Sequence, residues 1–208
     1  MTNRTTLVSY STPNYKEIYK AHLEPTLHYW DGHTRHINLP VAQSWLKATQ
    51  MKPAVILQAL EDDVDGVLYL DCDAEIKDKR INDIVKAVRN NPIGCVFLNH
   101  AQWYNNTSKI IEPLTGTLYF SKAALPFVRE WALMTANSSK PDGETFAEML
   151  LKTNLPGQQL PIEWAYINSL PYGGKGYIPC PNPIVTHHQA SRVKRSEYEN
   201  LRSVGQSR

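Results

Sequence analysis

The sequence has little of what marks a secreted, membrane-spanning or strongly nucleic-acid-binding protein. Only three of its 208 residues are cysteine, widely spaced and in no metal-ligand pattern, which favours a reducing compartment over a disulfide framework. Its apolar runs are far shorter than the ~20 residues of a membrane helix, and the N-terminal segment lacks the apolar stretch of a secretory signal. The formal net charge of +2 does not demand a nucleic-acid partner. We therefore expect a cytoplasmic protein without an integral membrane segment.

What the sequence does contain is an ordinary globular composition and an alternation of strand and helix patterns. Apolar residues make up 42% and charged residues 20%, and the length is sufficient for one domain with a sizeable core. The alternation is typical of an α/β domain with a largely parallel sheet. Strands are predicted at 5–11, 33–39, 64–73 and 93–99, and helices at 14–30 (divided at Pro25), 40–50, 52–62 and 80–91.

After residue 100 the pattern changes. Residues 110–121 predict a hairpin or a bent strand with Thr115 and Gly116 at the turn. Two helices are predicted at 122–136 and 143–153, and the Pro/Gly-rich end of the chain is predicted to be irregular.

Two aspartates directly follow the most apolar strand, in the segment GVLYLDCD that ends at residue 73. In open α/β sheets, ligands bind beyond the carboxyl ends of the strands. Carboxylate oxygens are preferred ligands of Mg²⁺ and Mn²⁺, which complete their shells with water and substrate phosphates. Asp71 and Asp73 therefore predict a metal and phosphate site. The structural alternative is that one aspartate caps the next element and the other is merely exposed.

Two other enzyme classes that place acidic residues or phosphates at such a position are not supported. A P-loop nucleotidase needs G-x-x-x-x-G-K-[ST], and the segment YGGKGY has the wrong spacing. A haloacid-dehalogenase-type phosphatase needs a distal acidic pair, yet after Asp83 the only remaining aspartate is Asp142. Its D-x-D also belongs near the start of the fold, whereas here it comes late.

The chain resembles small GT-A type glycosyltransferases of the nucleotide-diphospho-sugar transferase family. The segments that carry the resemblance, in order, are VSYSTPNY, WLKATQMKPAVILQAL, VLYLDCDAEI, TGTLYFSKAA, GETFAEML, LPIEWAYI and IVTHHQASR. The resemblance implies one Rossmann-like domain over residues 1–208 with a central mixed, mostly parallel sheet. Residues 1–100 would form the nucleotide-binding half, and 101–208 the acceptor-side half with a C-terminal segment for metal and diphosphate.

The resemblance also implies a Mn²⁺ or Mg²⁺ site. Asp71 would lie near the ribose and the metal, Asp73 would bind the metal directly, and His187 or His188 would be a further ligand. Arg192 would hold the diphosphate, because a guanidinium fork matches phosphate oxygens, and Lys194 is a second candidate. A solvated basic tail is the alternative for these last residues.

Further residues are assigned to donor and acceptor by the same resemblance, each with an ordinary core, turn or surface role as its alternative. The donor nucleotide would be bound by base-stacking Tyr10 or Tyr15, by Thr12 and by Lys52, and the donor sugar would approach the backbone at Gly116 and Thr117. Glu144 or Glu163 would act on the acceptor hydroxyl, and Trp164 beside Glu163 offers a flat face to a sugar or base.

The resulting hypothesis is a metal-dependent hexosyl- or pentosyltransferase that moves a sugar from a nucleotide-diphosphate sugar, a UDP-sugar in the first instance, to a hydroxyl acceptor. A carbohydrate acceptor is the leading interpretation, and a hydroxymethylated base in phage DNA is the second. The basic segment 191–195, Lys175 and the aromatic residues Trp103, Tyr104 and Trp164 favour DNA. The modest net charge and the lack of a groove-reading element count against it. A non-catalytic nucleotide-sugar-binding module is the third possibility.

Overall fold

The computed structural model describes residues 4–62, 64–104, 107–153, 155, 157–168 and 179–190, with the side chains of 103 and 104 left aside. The strands are β1 (Thr5–Ser11), β2 (His33–Asn38), β3 (Gly66–Leu70), β4 (Ala74–Ile76), β5 (Ile93–Asn99), β6 (Ile111–Ser121), β7 (Gly157–Leu160), β8 (Tyr166–Ile167) and β9 (Val185–His187). The α-helices are α1 (Lys16–Ala21), α2 (Trp45–Gln50), α3 (Lys52–Glu61), α4 (Ile84–Ala87), α5 (His100–Tyr104), α6 (Leu125–Ala136) and α7 (Asp142–Lys152). Short 3-10 helices occupy Pro13–Tyr15, Glu24–Tyr29, Lys79–Asp83, Lys122–Ala124 and Ile162–Trp164.

The central sheet has six strands in the order β2-β1-β3-β6-β5-β7. Every pairing is parallel except the two made by β6, which runs antiparallel to β3 and β5. The predicted α/β fold with a mixed, mostly parallel sheet is therefore confirmed. All five residues of β3 are buried, and their side chains alternate between two cores, with Leu68 and Leu70 on one face and Val67 and Tyr69 on the other.

One of these cores fixes the position of helix α7. Phe120, Phe127, Trp131 and Phe146 pack against one another there, with ring centroids 4.9–6.3 Å apart. The Trp131 Nε1 donates a hydrogen bond of 3.1 Å to the Thr145 Oγ1 of α7. Because both partners are buried, this contact holds the first turn of α7 and thereby the place of Asp142.

A second, three-stranded sheet has the order β4-β9-β8. Strands β4 and β9 pair antiparallel, with Ala74 opposite His187, and β8 pairs parallel to β9. Within the predicted irregular end of the chain, the described residues include the short strand β9, so the prediction was wrong for Val185–His187. Strands of three residues, such as β4 and β9, are too short to produce a periodic pattern in the sequence.

Several predicted helices differ from the structure. The helix predicted at 14–30 is instead the short α1 between two 3-10 helices, Pro13–Tyr15 and Glu24–Tyr29. The helix predicted at 40–50 begins only at Trp45, because the Ser44 side chain caps its first turn by accepting from the Lys47 N–H at 3.2 Å. In place of the helix predicted at 80–91, the structure has a 3-10 helix that ends at Asp83 and then the short α4, Ile84–Ala87. Of the two forms predicted for residues 110–121, the structure has the bent strand, because the pairing of β6 with β5 jumps from Cys95–Leu118 to Val96–Leu114. In this bulge, residues 115–117 have no partner in β5, although Thr117 pairs with Leu70 of β3.

Within the described residues, no helix has both the length and the apolar character needed to cross a membrane.

His36 on β2 makes the stability of this fold dependent on pH. Its ring stacks on Tyr19 at 3.5 Å and contacts the Ser11 Oγ at 2.9 Å, and burial lowers its pKa from 6.5 to about 4. The unfolded chain binds the proton more readily, so this contribution to stability is complete above about pH 6.5 and is lost as the pH falls to about 4. We expect a loss on the order of 1 kcal/mol, since the ring is only half-buried and solvent screens it.

Urea unfolding of His36→Gln at a series of pH values will check this expectation. The variant should show a flatter decline in the free energy of unfolding between pH 6.5 and about 4 than the parent protein shows. His33→Gln, at an exposed position of the same strand, is the matched control and should retain the decline of the parent. Identical pH profiles for His36→Gln and the parent would contradict the assignment.

Candidate functional site

The first aspartate of the D-x-D segment lies at the carboxyl end of a central strand, as predicted. Strand β3 ends at Leu70, between β1 and β6, and Asp71 follows it directly. The Asp71 N–H donates to the Gly116 carbonyl at 2.9 Å, which ties the end of β3 to the bulge in β6. The Tyr69 hydroxyl donates to the Asp71 Oδ1 at 2.7 Å.

The second sheet brings His187 to Asp73. Because Ala74 of β4 lies opposite His187 of β9, the neighbouring Asp73 faces the imidazole, with its Oδ1 3.4 Å from His187 Nδ1. The other oxygen, Asp73 Oδ2, accepts a 2.7 Å hydrogen bond from the Ala190 N–H. Both side chains are nearly enclosed. Asp71, Asp73 and His187 each offer a ligand atom, and these atoms all lie within 4.8 Å of one another.

The structure separates the two candidate histidines. His187 belongs to the group with the two aspartates. His188 points elsewhere, because its Nε2 contacts Glu75 Oε2 at 2.9 Å and its ring stacks on His22 at 4.1 Å. The prediction of a metal ligand is therefore corrected for His188, since successive side chains of an extended segment point to opposite sides.

The environment of His187 fits a metal ion. Its Nε2 lies 2.9 Å from the buried Thr117 Oγ1, while its Nδ1 faces the Asp73 carboxylate. Without a metal, the Nδ1–H can donate to the Asp73 carboxylate. If the Nε2–H instead donates to the Thr117 hydroxyl, the Nδ1 lone pair faces the carboxylate, and a cation between the two groups is favourable. Two carboxylates and one imidazole form a set of hard and borderline ligands that suits Mn²⁺ or Mg²⁺. Thr117 thus contacts the histidine rather than lining a cavity.

A buried lysine network, which the sequence did not reveal, supports Asp71. The Lys52 ammonium lies 3.1 Å from Asp71 Oδ1 and 2.8 Å from Asp142 Oδ2. It also donates to the Thr115 carbonyl at 3.0 Å and to the Thr115 Oγ1 at 3.1 Å, and that hydroxyl donates to Asp142 Oδ2 at 2.9 Å. Lys52 is only 4% exposed, so these partners occupy its donors. Its ammonium is held by Asp71, Asp142 and Thr115, whereas the resemblance implied a contact with the donor.

The charges in this network shift several pKa values. Burial raises the pKa of Asp71, and Lys52 only partly offsets this effect. Burial would also raise the pKa of Asp73, but the hydrogen bonds from His187 and from the Ala190 N–H hold it below its usual value. Burial would lower the pKa of Lys52, yet Asp142 and Asp71 together raise it above its ordinary value. Asp73 and Lys52 are therefore firmly charged.

Two cavities meet at the aspartates. The larger, of about 640 Å³, is lined by the Asp71–Asp73 segment, by the first strand and loop, and by residues of α2, α3, β6 and α7. The smaller, of about 200 Å³, is lined by His187, Gln189, Gly116 and residues of β5, β6 and β8. Both cavities include Asp71, Asp73, Glu112, Pro113, Thr115 and Gly143.

The residues predicted to bind the nucleotide line the larger cavity. Tyr10, Thr12 and Tyr15 all contribute to its wall, together with Lys52. The Tyr10 hydroxyl donates to the Ala48 carbonyl at 2.7 Å, which fixes its ring. Thr12 is 2% exposed, and its Oγ1 has no hydrogen-bond partner among the described residues. A buried hydroxyl without a partner at a cavity wall is suited to a ligand that completes its hydrogen bond.

The two glutamates proposed to act on the acceptor differ in position. Glu144 is exposed and lines the larger cavity. Glu163 lines neither of the two cavities. Its negative charge lies near Arg80 and Cys180 and contributes to raising the pKa of both groups. Trp164 is 4% exposed and packs in a hydrophobic core, so its face is not available to a sugar or base. The structure therefore does not bring Glu163 and Trp164 to the site.

Several predicted residues lie outside the described part of the chain. These are Arg192, Lys194, Lys175, the basic segment 191–195 and the side chains of Trp103 and Tyr104. The assignment of Arg192 to the diphosphate stays a prediction.

Gly116→Ala should displace His187 and weaken metal binding. A Cβ at position 116 would lie 2.7 Å from His187 Cε1 and 2.9 Å from Nδ1, closer than such atoms approach one another. The ring has little room to move because Thr117 and Asp73 hold both nitrogens. We expect at least about a tenfold loss of Mn²⁺ affinity, the size seen when the surroundings of a metal ligand are disturbed.

Calorimetric titration with Mn²⁺ will measure the effect, with Gly143→Ala as the matched control. A Cβ at Gly143 meets only Thr115, at 3.7 Å or beyond. Unchanged Mn²⁺ affinity in Gly116→Ala would contradict the role assigned to His187.

Comparison with solved structures shows known proteins that share this fold. A glycosyltransferase involved in the glycosylation of the major capsid of PBCV-1 matches 93% of this chain and 97% of its own, with a TM-score of 0.65 and 18% identity. Two structures of the glycosyltransferase GlyE of Streptococcus pneumoniae TIGR4, one of them the apo form, match with a TM-score of 0.59 and 13% identity. They cover 89% and 88% of this chain, which spans about half, 54%, of theirs.

A comparison of the sequence with protein-family models and with curated proteins gives no match. At these identities the structural likeness concerns the fold, and it agrees with the resemblance seen in the sequence. The chain thus has a glycosyltransferase fold, with Asp71, Asp73 and His187 grouped where its two cavities meet.

Proposed function

We propose that the protein is a metal-dependent glycosyltransferase that moves a sugar from a nucleotide-diphosphate sugar, UDP-linked in the first instance, to a hydroxyl acceptor. One observation carries the proposal: two aspartates and a histidine with ligand atoms within 4.8 Å lie at the junction of two cavities in a glycosyltransferase fold. An acidic pair that only capped an element would not need the buried histidine beside it.

The residues around the two aspartates would each have a distinct role in binding the nucleoside diphosphate leaving group. Asp71, Asp73 and His187 would hold a Mn²⁺ or Mg²⁺ ion, which supplies positive charge for the diphosphate as the glycosidic bond breaks. Thr117 fixes the orientation of the His187 ring. Lys52 holds Asp71 in place and balances part of the negative charge, so Asp71 keeps one geometry before the metal arrives.

The larger cavity is suited to the nucleotide. Its volume of about 640 Å³ lies within the range of small-ligand sites. The ring of Tyr10 or Tyr15 at the cavity wall would stack on the base, and the buried Thr12 hydroxyl would hydrogen-bond to its edge. Arg192 would contribute a guanidinium to the diphosphate.

We propose a carbohydrate as the acceptor. Glu144 is the glutamate of the sequence hypothesis that lines a cavity, so it is the better candidate for contact with the acceptor hydroxyl. The DNA alternative loses one of its aromatic residues because Trp164 is in the core. None of the described residues adds support for DNA.

The proposal is tested by incubating the protein with a panel of nucleotide sugars with and without Mn²⁺, and by measuring the released nucleoside diphosphate. We expect slow hydrolysis of at least one UDP-sugar that requires Mn²⁺ and stops on addition of a chelator. Calorimetry with UDP and Mn²⁺ supplies the binding measurement. Tight binding without release from any donor, with carbohydrate acceptors present, would favour a binding module. Absence of binding by every nucleoside diphosphate would overturn the proposal.

A further inference from the structure

The two cavities adjoin at a shared wall, formed by the residues that line both of them. On the side of the larger cavity this wall faces Tyr10 and Thr12, and on the side of the smaller one it faces His187 and Gln189. The smaller cavity, about 200 Å³, has the volume of roughly seven water molecules, which suits a single sugar ring better than a nucleotide. If the base occupies the larger cavity and the diphosphate lies at the aspartates, the donor sugar must lie at this junction.

Among the described residues that line both cavities, only Gly143 lacks a side chain. It is the second residue of α7 and follows Asp142, which is fixed by Lys52 and Thr115. The other residues that line both cavities are three carboxylates, one proline, and Thr115, whose hydroxyl hydrogen-bonds to Asp142. Space at the junction is therefore set mainly by position 143.

Neither the backbone nor the packing of the fold requires a glycine at this position. A Cβ there would meet only Thr115, with Oγ1 at 3.7 Å and Cγ2 at 3.9 Å, which are ordinary contact distances. Gly143 is also not in the left-handed region of φ that would make a side chain strained. A Cβ at Gly116, by contrast, would collide with the His187 ring. A glycine that the fold can replace, located at the junction of two cavities, leaves room for a ligand.

We propose that Gly143 determines the size of the donor sugar, and that the space above it admits a hexose. This inference rests on the proposed function and deepens it. A side chain at 143 would extend along the wall beside Thr115 and narrow the junction. Exclusion of even one methylene-sized group from a tight site changes discrimination by about 10-fold or more. A nucleoside diphosphate has no sugar to place at the junction, so its binding should not depend on position 143.

The test compares Gly143→Ala and Gly143→Val with the parent protein, using UDP and a panel of UDP-hexoses and UDP-pentoses with Mn²⁺. Gly157→Ala is the matched control, since Gly157 lies in β7 outside both cavities and a Cβ there meets only the Ile93 carbonyl at 3.9 Å. We expect all variants to bind UDP within about twofold of the parent. We expect kcat/KM for UDP-hexose hydrolysis to fall about 10-fold in Gly143→Ala and further in Gly143→Val, with pentose donors affected less.

The outcomes separate this inference from the proposed function. Equal kcat/KM values for hexose donors in Gly143→Val and the parent would overturn the inference and leave the proposed function standing. Loss of UDP binding in Gly143→Val alone would also overturn it, because position 143 would then border the nucleotide. A parent protein that binds no UDP would overturn both. Thermal unfolding verifies that each variant is folded, and Gly143→Ala alone decides the matter if the valine variant is not.

Discussion

Asp73→Asn should nearly abolish Mn²⁺ binding while the protein stays folded. The Asp73 carboxylate is 7% exposed, and it divides its oxygens between the Ala190 N–H and the His187 ring. An asparagine can keep its carbonyl on the Ala190 N–H and turn its NH₂ group toward His187 Nδ1. The variant therefore supplies a hydrogen where the metal would bind, and it removes one charge. Loss of a direct ligand should cost at least about 100-fold in metal affinity, the upper end of what outer contacts cost.

Titration calorimetry with Mn²⁺, followed by UDP in the presence of Mn²⁺, will measure this loss. Glu75→Gln is the matched control, because Glu75 is a nearby carboxylate that contacts His188 and Lys77 and is not part of the metal group. The control should bind Mn²⁺ within a few-fold of the parent. The metal assignment fails if Asp73→Asn and the parent show equal affinities. Urea unfolding should give similar midpoints for both proteins.

The metal site shows which features of the structure can be predicted from the sequence and which cannot. Strands β1 and β5 match the prediction residue for residue, because each is rich in β-branched, aromatic or apolar residues and has turn residues at one end. The position of Asp71 at a strand end followed from the same pattern. The choice between His187 and His188 did not, since it depends on the register of β4 with β9. Asp73 and His187 are 114 positions apart along the chain, and no local pattern encodes that pairing.

The acidic residues beyond the D-x-D segment show the same limit. Glu163 and Trp164 are a plausible sugar-binding pair in the sequence. The sequence alone does not distinguish an aromatic side chain that is buried, as Trp164 is, from one that stacks on a sugar. Asp142 carried no motif, although it is the only aspartate after Asp83. Its importance emerges only when α7 docks on the core and places its first residue beside Lys52. Long-range packing, rather than residue type, decides which acids reach the site.

Lys52→Met should strongly destabilise the protein, and Asp142→Asn should restore most of the lost stability. The Lys52 ammonium is held 2.8 Å from Asp142 and 3.1 Å from Asp71, and the Asp142 side chain is 7% exposed. Removing Lys52 leaves the buried Asp142 carboxylate without its cation, which costs about 3–5 kcal/mol, whereas Asp71, with a side chain 34% exposed, is partly solvated. In Lys52→Met/Asp142→Asn the ion pair is replaced by an apolar and a neutral polar side chain. The asparagine can still accept from the Thr115 Oγ1, so little of that cost should remain.

Catalysis should behave differently from stability in the same series. In the double variant Asp71 retains the Tyr69 hydroxyl but loses Lys52, so it is held by one side chain instead of two. We expect stability within about 1 kcal/mol of the parent, but nucleotide-sugar hydrolysis lower by about 10-fold or more, as for loss of a contact that orients a metal ligand. Urea unfolding and the rate of UDP release measure the two effects. Lys47→Met, at an exposed position of α2, is the control and should change stability by less than about 0.5 kcal/mol. A double variant as unstable as Lys52→Met would refute the charge pairing, and one with full activity would show that Asp71 does not depend on Lys52.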